Sequence, residues 1–300
     1  MSVRQPTSCY SRPRLRWRRS APQIKRIPVG GRRCLSRATF FIPMPRTPFH
    51  YVVTLLDHLA KQLQADLGRN VVGLYVYGSL TQNAFDARRS DVDCVAVIRR
   101  PVSPVVASRL RTSFRRLSGR HSWMRRLQLT ILIQPELLRL NGDGWLYQFG
   151  RLSRTGSDGN PIIWVNILES GQVVFGPDPH TFVPPITPAV MRAALERESG
   201  YLRAELVTRR TSVWRRRAAY RRYAALTACR ILYTLETGRV APKRTAAVWA
   251  LRRLPSVHRA IVRRAIAPSL GTRLLPLGPL RGLLAHVERR LRTAPVAPAP

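Results

Sequence analysis

Two short apolar runs, each tied to residues that an ordinary buried strand would not carry, constrain this chain more than anything else in it. Val71-Val72-Gly73-Leu74-Tyr75-Val76-Tyr77 is too short for a core helix and rich in β-branched and aromatic residues, so it reads as a buried strand that stops at Gly78-Ser79. A loop or short helix over 80–89 leads to Ser90 and then to Asp91-Val92-Asp93-Cys94-Val95-Ala96-Val97-Ile98, a second strand. Residues two apart on a strand point to one side, so the carboxylates of Asp91 and Asp93 share a face. Two carboxylates side by side repel unless a cation lies between them, and all-oxygen ligands suit Mg²⁺, which keeps positions open for water and phosphate oxygens. A Gly-Ser turn at the end of the neighbouring strand gives close backbone approach and N–H groups for phosphate. The pattern is the layout for holding a nucleoside triphosphate for in-line attack on its α-phosphorus.

The rest of the chain supplies two folded regions. Val52, Leu55, Leu56, Leu59, Leu63 and Leu67 recur at helical spacing over 48–67, a covering helix is expected over 104–117, and Arg126–Ile133 reads as a third strand. The stretch 134–180 is mixed, with an apolar run at Ile162–Leu168 and a turn or short strand at Gly171–Pro177. Pro177, Pro179, Pro184, Pro185 and Pro188 mark a boundary. Beyond it, helices are expected at 188–209, 215–237, 243–253, 256–267 and 279–292, with Gly238 capping the second and Pro255 punctuating the loop before the fourth. The predicted class is α+β. A domain of mixed sheet and helices that carries the triphosphate motif spans 44–176, a linker 177–188, a helical bundle 189–294 and a loose tail 295–300.

The charge is extreme: 52 Lys plus Arg against 15 Asp plus Glu, a formal +37. The first 43 residues hold 11 of those bases and no acid, so the remainder still carries +26. Such a field attracts polyanions, although a GC-rich genome also enriches Arg, Ala and Pro. Residues 1–43 show no period and read as a disordered basic extension. A basic arm for nonspecific polyanion binding, a transit-like peptide and a start codon set upstream of Met44 all fit it. The four cysteines form no CxxC pair and no zinc spacing; Cys94 and Cys229 lie in apolar runs, as small buried thiols do. A reducing, cytoplasmic setting is the expectation. No apolar run is long enough for a membrane span.

The segment Val71–Ile98 resembles the core of the polymerase-β-type nucleotidyltransferases, and within them the aminoglycoside (streptomycin/spectinomycin) adenylyltransferases. Leu226–Pro255, with its Cys-Arg-Ile-Leu-Tyr core and its Lys five residues after Gly238, resembles the C-terminal helical segment of that family, and Gly171–Pro179 its interdomain stretch. The similarity covers roughly 48–268. It implies ATP as co-substrate and Mg²⁺ as cofactor. Asp91 and Asp93 would bind the metal, Gly78 and Ser79 the triphosphate, with Ser90 at the start of the metal strand. Arg230 and Lys243 would reach the phosphates from the helical domain. Arg is the default base of this chain, whereas only Lys25, Lys61 and Lys243 are lysines, so a Lys at 243 points to a positional requirement.

Two departures stand out against that resemblance. Where the family carries a Glu that takes the proton of the acceptor hydroxyl, this sequence has Gln128, which accepts no proton. Where the family's antibiotic-contacting acids precede the central helix, Ser212–Tyr223 is basic and aromatic, leaving Trp214 and Tyr223 as acceptor candidates. Two functions follow. One is transfer of AMP from ATP to a hydroxyl of a small molecule, an aminoglycoside such as streptomycin or spectinomycin among them. The other is a degenerate nucleotidyltransferase fold that binds nucleotide or nucleic acid with little or no turnover.

Overall fold

The computed structural model describes residues 48–140, 142–157, 159–267 and 273–298; the expectation for 1–43 lies outside them. Six strands form one sheet in the order β5-β4-β3-β2-β1-β6: β1 Val71–Tyr77, β2 Val92–Ile98, β3 Leu127–Ile133, β4 Gly142–Gln148, β5 Arg151–Ser157 and β6 Gln172–Phe175. Only β2 and β3 run parallel, joined by the helix α2, Pro104–Arg120; the other described pairs are antiparallel.

Strand alternation sorts the side chains into two layers. Leu74, Val76, Cys94, Ala96, Leu129 and Ile131 meet α1 (Pro48–Leu67) and α2 on one face. All six apolar residues that set the period of α1 are buried there. Ser103 caps α2, its Oγ accepting the Val106 N–H at 3.3 Å, with Pro104 in the first turn where its missing N–H costs nothing. Tyr75, Val95, Val97 and Leu132 point the other way, against α3 (Pro161–Ser170), whose Trp164 is fully buried and donates Nε1–H to the Leu137 carbonyl at 2.8 Å. By the same parity Asp93 lies on the α3 face, and so does its β3 register partner Gln128.

The helical half surrounds α5, Ala218–Thr237, whose buried face runs from Ala224 to Leu235. Around it lie α4 (Pro188–Arg203, continued by one π-helical turn over Ala204–Thr208), α6 (Lys243–Arg253), α7 (Ser256–Ile266) and α8 (Leu277–Thr293). Val165 and Ile162 of α3 join this core, so α3 touches both the sheet and the helices. Gly238 ends α5 in the left-handed region (φ 67°), its N–H on the Thr234 carbonyl at 2.9 Å.

Four expectations need correcting. β2 starts at Val92, so Asp91 precedes the strand instead of opening it. α5 starts at Ala218 because Val213–Arg215 forms a separate 3₁₀ turn, capped by Ser212 Oγ on the Trp214 N–H at 3.2 Å. The mixed stretch after 134 contains the β4–β5 hairpin. Gly142-Asp143-Gly144 hides that hairpin in the sequence, since these residues are poor strand formers, and pairing to β5, and of Gly144 to β3, overrides the propensity. The tail from Pro295 is held through 298: Val296 is buried and the Ala297 N–H donates to the Leu235 carbonyl at 3.0 Å, satisfying a carbonyl in the last turn of α5.

Candidate active site

The backbone brings the sequence motif together. Tyr77 pairs with Asp93 across β1 and β2, so the residue that follows the pair on β1, Gly78, turns directly over that carboxylate. Gly78 sits at φ +80°, and a Cβ there would meet Asp93 Oδ2 at 2.5 Å. Both the left-handed backbone and the contact exclude a side chain. Its N–H donates to Asn166 Oδ1 at 3.3 Å, a buried amide of α3 that also accepts the Ser170 hydroxyl at 3.2 Å. Gly78 and Ser79 open a 3₁₀ turn, tied down by the Thr81 and Gln82 N–H groups on the Gly78 carbonyl and by the Ala84 N–H on that of Ser79. Ser90 acts locally. Its Oγ accepts the Asp86 N–H at 2.8 Å and its own N–H donates to the Asp86 carbonyl at 2.7 Å, and these bonds close the loop that delivers Asp91.

Both carboxylates are raised above their ordinary range. Burial pushes Asp93 up to about 7, the charge of Asp91 adds to it, and Lys243 and Arg230 oppose it. Burial also raises Asp91, against Arg126 and Lys243. Lys243, the first residue of α6, is itself lowered by burial and by Arg230 and sustained by both aspartates. The helical half therefore delivers one cation to both carboxylates of the sheet half. It delivers that cation at a helix N-terminus, where free N–H groups and the helix dipole favour anions.

This arrangement fits a metal-bound triphosphate. Among the described residues no set of three or more His, Cys, Asp or Glu is clustered, so a divalent ion here would take two carboxylates and leave its other positions to phosphate and water, as Mg²⁺ does. One nitrogen of a cation that acts on Asp93, Arg230 Nε, is buried without a hydrogen-bond partner, a costly state that a phosphate oxygen would relieve. Magnesium binding requires ionised carboxylates. A group whose folded pKa is raised stabilises the fold at low pH and loses that contribution as pH rises through the folded value. The metal-free protein therefore loses the Asp93 contribution as pH climbs to about 7, whereas bound Mg²⁺ restores it. The magnesium-induced rise in Tm, read by differential scanning fluorimetry, should be small near pH 6 and larger by roughly 3 to 5 °C near pH 8.

The aromatic candidates are also brought together. Trp214 stacks on Tyr220 (4.9 Å between centroids, 12°) and meets Tyr201 and Tyr223 edge-on at 5.4 and 5.5 Å. Lys243 Nζ lies 5.0 Å from the Tyr223 ring, joining this cluster to the two aspartates. One face of Trp214 is thus taken up by packing. The acids missing from Ser212–Tyr223 come from elsewhere in space: Glu198 of α4 acts on Tyr201 and Tyr223, and Glu205 on Tyr201.

Sequence reasoning missed Arg126, Asn166 and Glu198. Asn166 left a signal, a polar residue inside the apolar run Ile162–Leu168. Arg126 left none in so Arg-rich a chain. Its place beside Asp91 follows from the parallel register that pairs Val92 with Leu127.

Comparison with known proteins agrees with this architecture. Residues 181–278 match the family described as aminoglycoside adenylyltransferase, C-terminal domain. A relative from Enterococcus faecalis, spectinomycin 9-adenylyltransferase, is 24% identical over 233 residues, covering 72% of this chain and 86% of the relative. The crystal structure of the Enterococcus spectinomycin adenyltransferase AAD(9) with ATP and spectinomycin overlays with a TM-score of 0.63 at 20% identity. It spans 80% of this chain and 99% of that one, so the two share a fold.

Proposed function

We infer that this chain, which belongs to the aminoglycoside adenylyltransferase family, is a Mg²⁺-dependent nucleotidyltransferase that moves AMP from ATP to an oxygen nucleophile of a small acceptor. The observation that carries the reading is the convergence of Gly78, Asp91 and Asp93 from the sheet with Arg230 and Lys243 from the helices on one point.

The residues divide the work of that reaction. Asp91 and Asp93 would hold Mg²⁺, which supplies charge neutralisation for the triphosphate and its transition state. Gly78 leaves room for a phosphate against the β1 turn, and Ser79 presents its hydroxyl and N–H beside it. Arg230 and Lys243 take phosphate oxygens, the first through a nitrogen that otherwise has no partner. Asn166 fixes the Gly78 peptide from behind. Tyr223 and Trp214 form the aromatic wall on the acceptor side. Which oxygen attacks is decided by the residues next to the aspartates on β3.

The test is transfer of label from [α-³²P]ATP to acceptors, spectinomycin and streptomycin included, by the full chain and by Asp93→Asn. Magnesium-dependent product that vanishes in the variant supports the reading; product undiminished in the variant, or ATP that fails to bind, overturns it. Lys243→Met should weaken ATP binding about 10- to 100-fold by calorimetry, since a desolvated charge-assisted contact contributes roughly 1.5 to 3 kcal/mol. A second reading, nucleotide binding with little turnover, is favoured by the amide at 128. It predicts ATP affinity in the usual range with no transfer to any acceptor.

A further inference from the structure

We propose that the attacking oxygen belongs to a phosphate group of the acceptor, not to a hydroxyl, and that Arg126 binds it. The inference rests on the nucleotidyl-transfer reading of the same site.

The first observation is that the position paired with Asp93 on β3 holds an amide, which accepts no proton. A hydroxyl must lose its proton during attack, and a positioned base typically contributes 10² to 10⁴ in rate. The charged groups acting on Asp91 are Arg126 and Lys243, and those acting on Asp93 are Asp91, Lys243 and Arg230. The neighbour of Asp93 on β3 is the Gln128 amide. Among the described residues no third acid, His or Cys clusters with the pair. The two aspartates are committed to the metal. A phosphate monoester has lost its second proton by neutrality, its second pKa being about 6. It needs no base.

The second observation is Arg126. It stands immediately before β3, two residues from Gln128, and its charge acts on Asp91. One nitrogen, Nη1, donates to the Ala87 carbonyl at 2.6 Å, and the guanidinium lies over the Trp123 ring at 4.7 Å. These contacts fix the plane of the group. The other nitrogen, Nη2, is buried with no partner. A fixed guanidinium with an unspent donor is a phosphate ligand more than a structural staple, because the staple needs only Nη1. The ATP phosphates have their own cations from the helical half, Arg230 on α5 and Lys243 on α6. A polycationic acceptor would meet Arg126 head-on.

The step balances without a co-reactant. A phosphate oxygen attacks the α-phosphorus of ATP with its own electron pair. The bond from the α-phosphorus to the bridging oxygen breaks, and pyrophosphate leaves with that pair. The product is a diphosphate joining AMP to the acceptor. Nothing is oxidised, and no proton has to be taken up by the protein.

The test uses the full 300-residue chain, Mg²⁺ and two probes. The first is [³²P]orthophosphate with unlabelled ATP, expected to give ADP labelled at the β-position, absent in Asp93→Asn. The second is [α-³²P]ATP offered to sugar phosphates, the same sugars without phosphate, simple carboxylic acids and spectinomycin. The expected product forms only with the phosphorylated sugars, resists alkaline phosphatase and releases labelled AMP with a nucleotide pyrophosphatase. Arg126→Gln should raise KM for the phosphate acceptor at least 10-fold while leaving KM for ATP within about twofold, and Arg126→Lys should recover part of the loss. A purely structural role would move both KM values together. Efficient labelling of spectinomycin or of the bare sugars overturns the proposal while leaving nucleotidyl transfer intact. So does a carboxylate product trapped by hydroxylamine. No label in any acceptor and none in ADP overturns both.

Discussion

Asp93→Asn is expected to cut AMP transfer by about 10³-fold and, in the metal-free protein near pH 8, to raise Tm by roughly 2 to 5 °C. The two effects have one cause. Asp93 lies against the Gly78 turn and beside Asp91, where burial and the second carboxylate push its pKa up to about 7. At pH 8 the protein must keep the group ionised against both. The amide has the same shape and removes that repulsion, so the empty fold gains. The amide also removes half of the protein's ligands for a divalent ion, so the reaction loses. At pH 5 the carboxyl of the wild-type protein is protonated and the stability gain should vanish. Thermal melts at the two pH values together with an initial-rate assay check both halves. A variant less stable than wild type near pH 8 would mean that Asp93 is a structural partner of Lys243 and Arg230 rather than a strained metal ligand.

Gln128→Glu is the second large effect, and it should differ in sign between acceptors. A carboxylate at 128 would stand in register with Asp93 on the face turned to α3 and two residues from Arg126. It places a proton acceptor where an attacking hydroxyl would sit, so transfer to a hydroxyl acceptor such as spectinomycin should rise about 100-fold. It also sets a negative charge beside Arg126, so transfer to a phosphate acceptor should fall about 10-fold through like-charge repulsion. Rates measured with both acceptors at saturating ATP give the answer. An unchanged hydroxyl rate with unchanged ATP binding would show that position 128 does not face the attacking oxygen. A rise for both acceptors would show that the phosphate does not lie near Arg126.

Part of this site was legible before any coordinates. A β-rich run closed by Gly78-Ser79 and a second that carries Asp93 specify neighbouring strands and the face of that carboxylate, because the two-residue period leaves little freedom; Asp91 lies before β2, placed by the loop that Ser90 closes. The hexad of leucines and valine that buries α1 is legible for the same reason, at a period of 3.6. The lone lysine beyond Gly238 stood out against an arginine background, and its charge acts on both aspartates. The β4–β5 hairpin escaped because its first strand begins Gly-Asp-Gly and is ordered by pairing with β5 and β3. The Val296 tail escaped because proline and alanine carry no period; only the free carbonyl at the end of α5 makes a place for it.

What the sequence settled by itself, then, is the local grammar: the runs that form β1 to β3, the main helices, the face that carries Asp93, and that one Gly must turn beside it. Those outcomes follow from side-chain periodicity and backbone sterics, which act over a few residues. Only tertiary structure decided the electrical character of the cleft. Arg126 is set beside Asp91 by a parallel register, Glu198 reaches Tyr223 from another helix, and Lys243 crosses from the helical half to the carboxylates. Coulomb forces and desolvation depend on distances through space between residues far apart in the chain, and no local pattern encodes them.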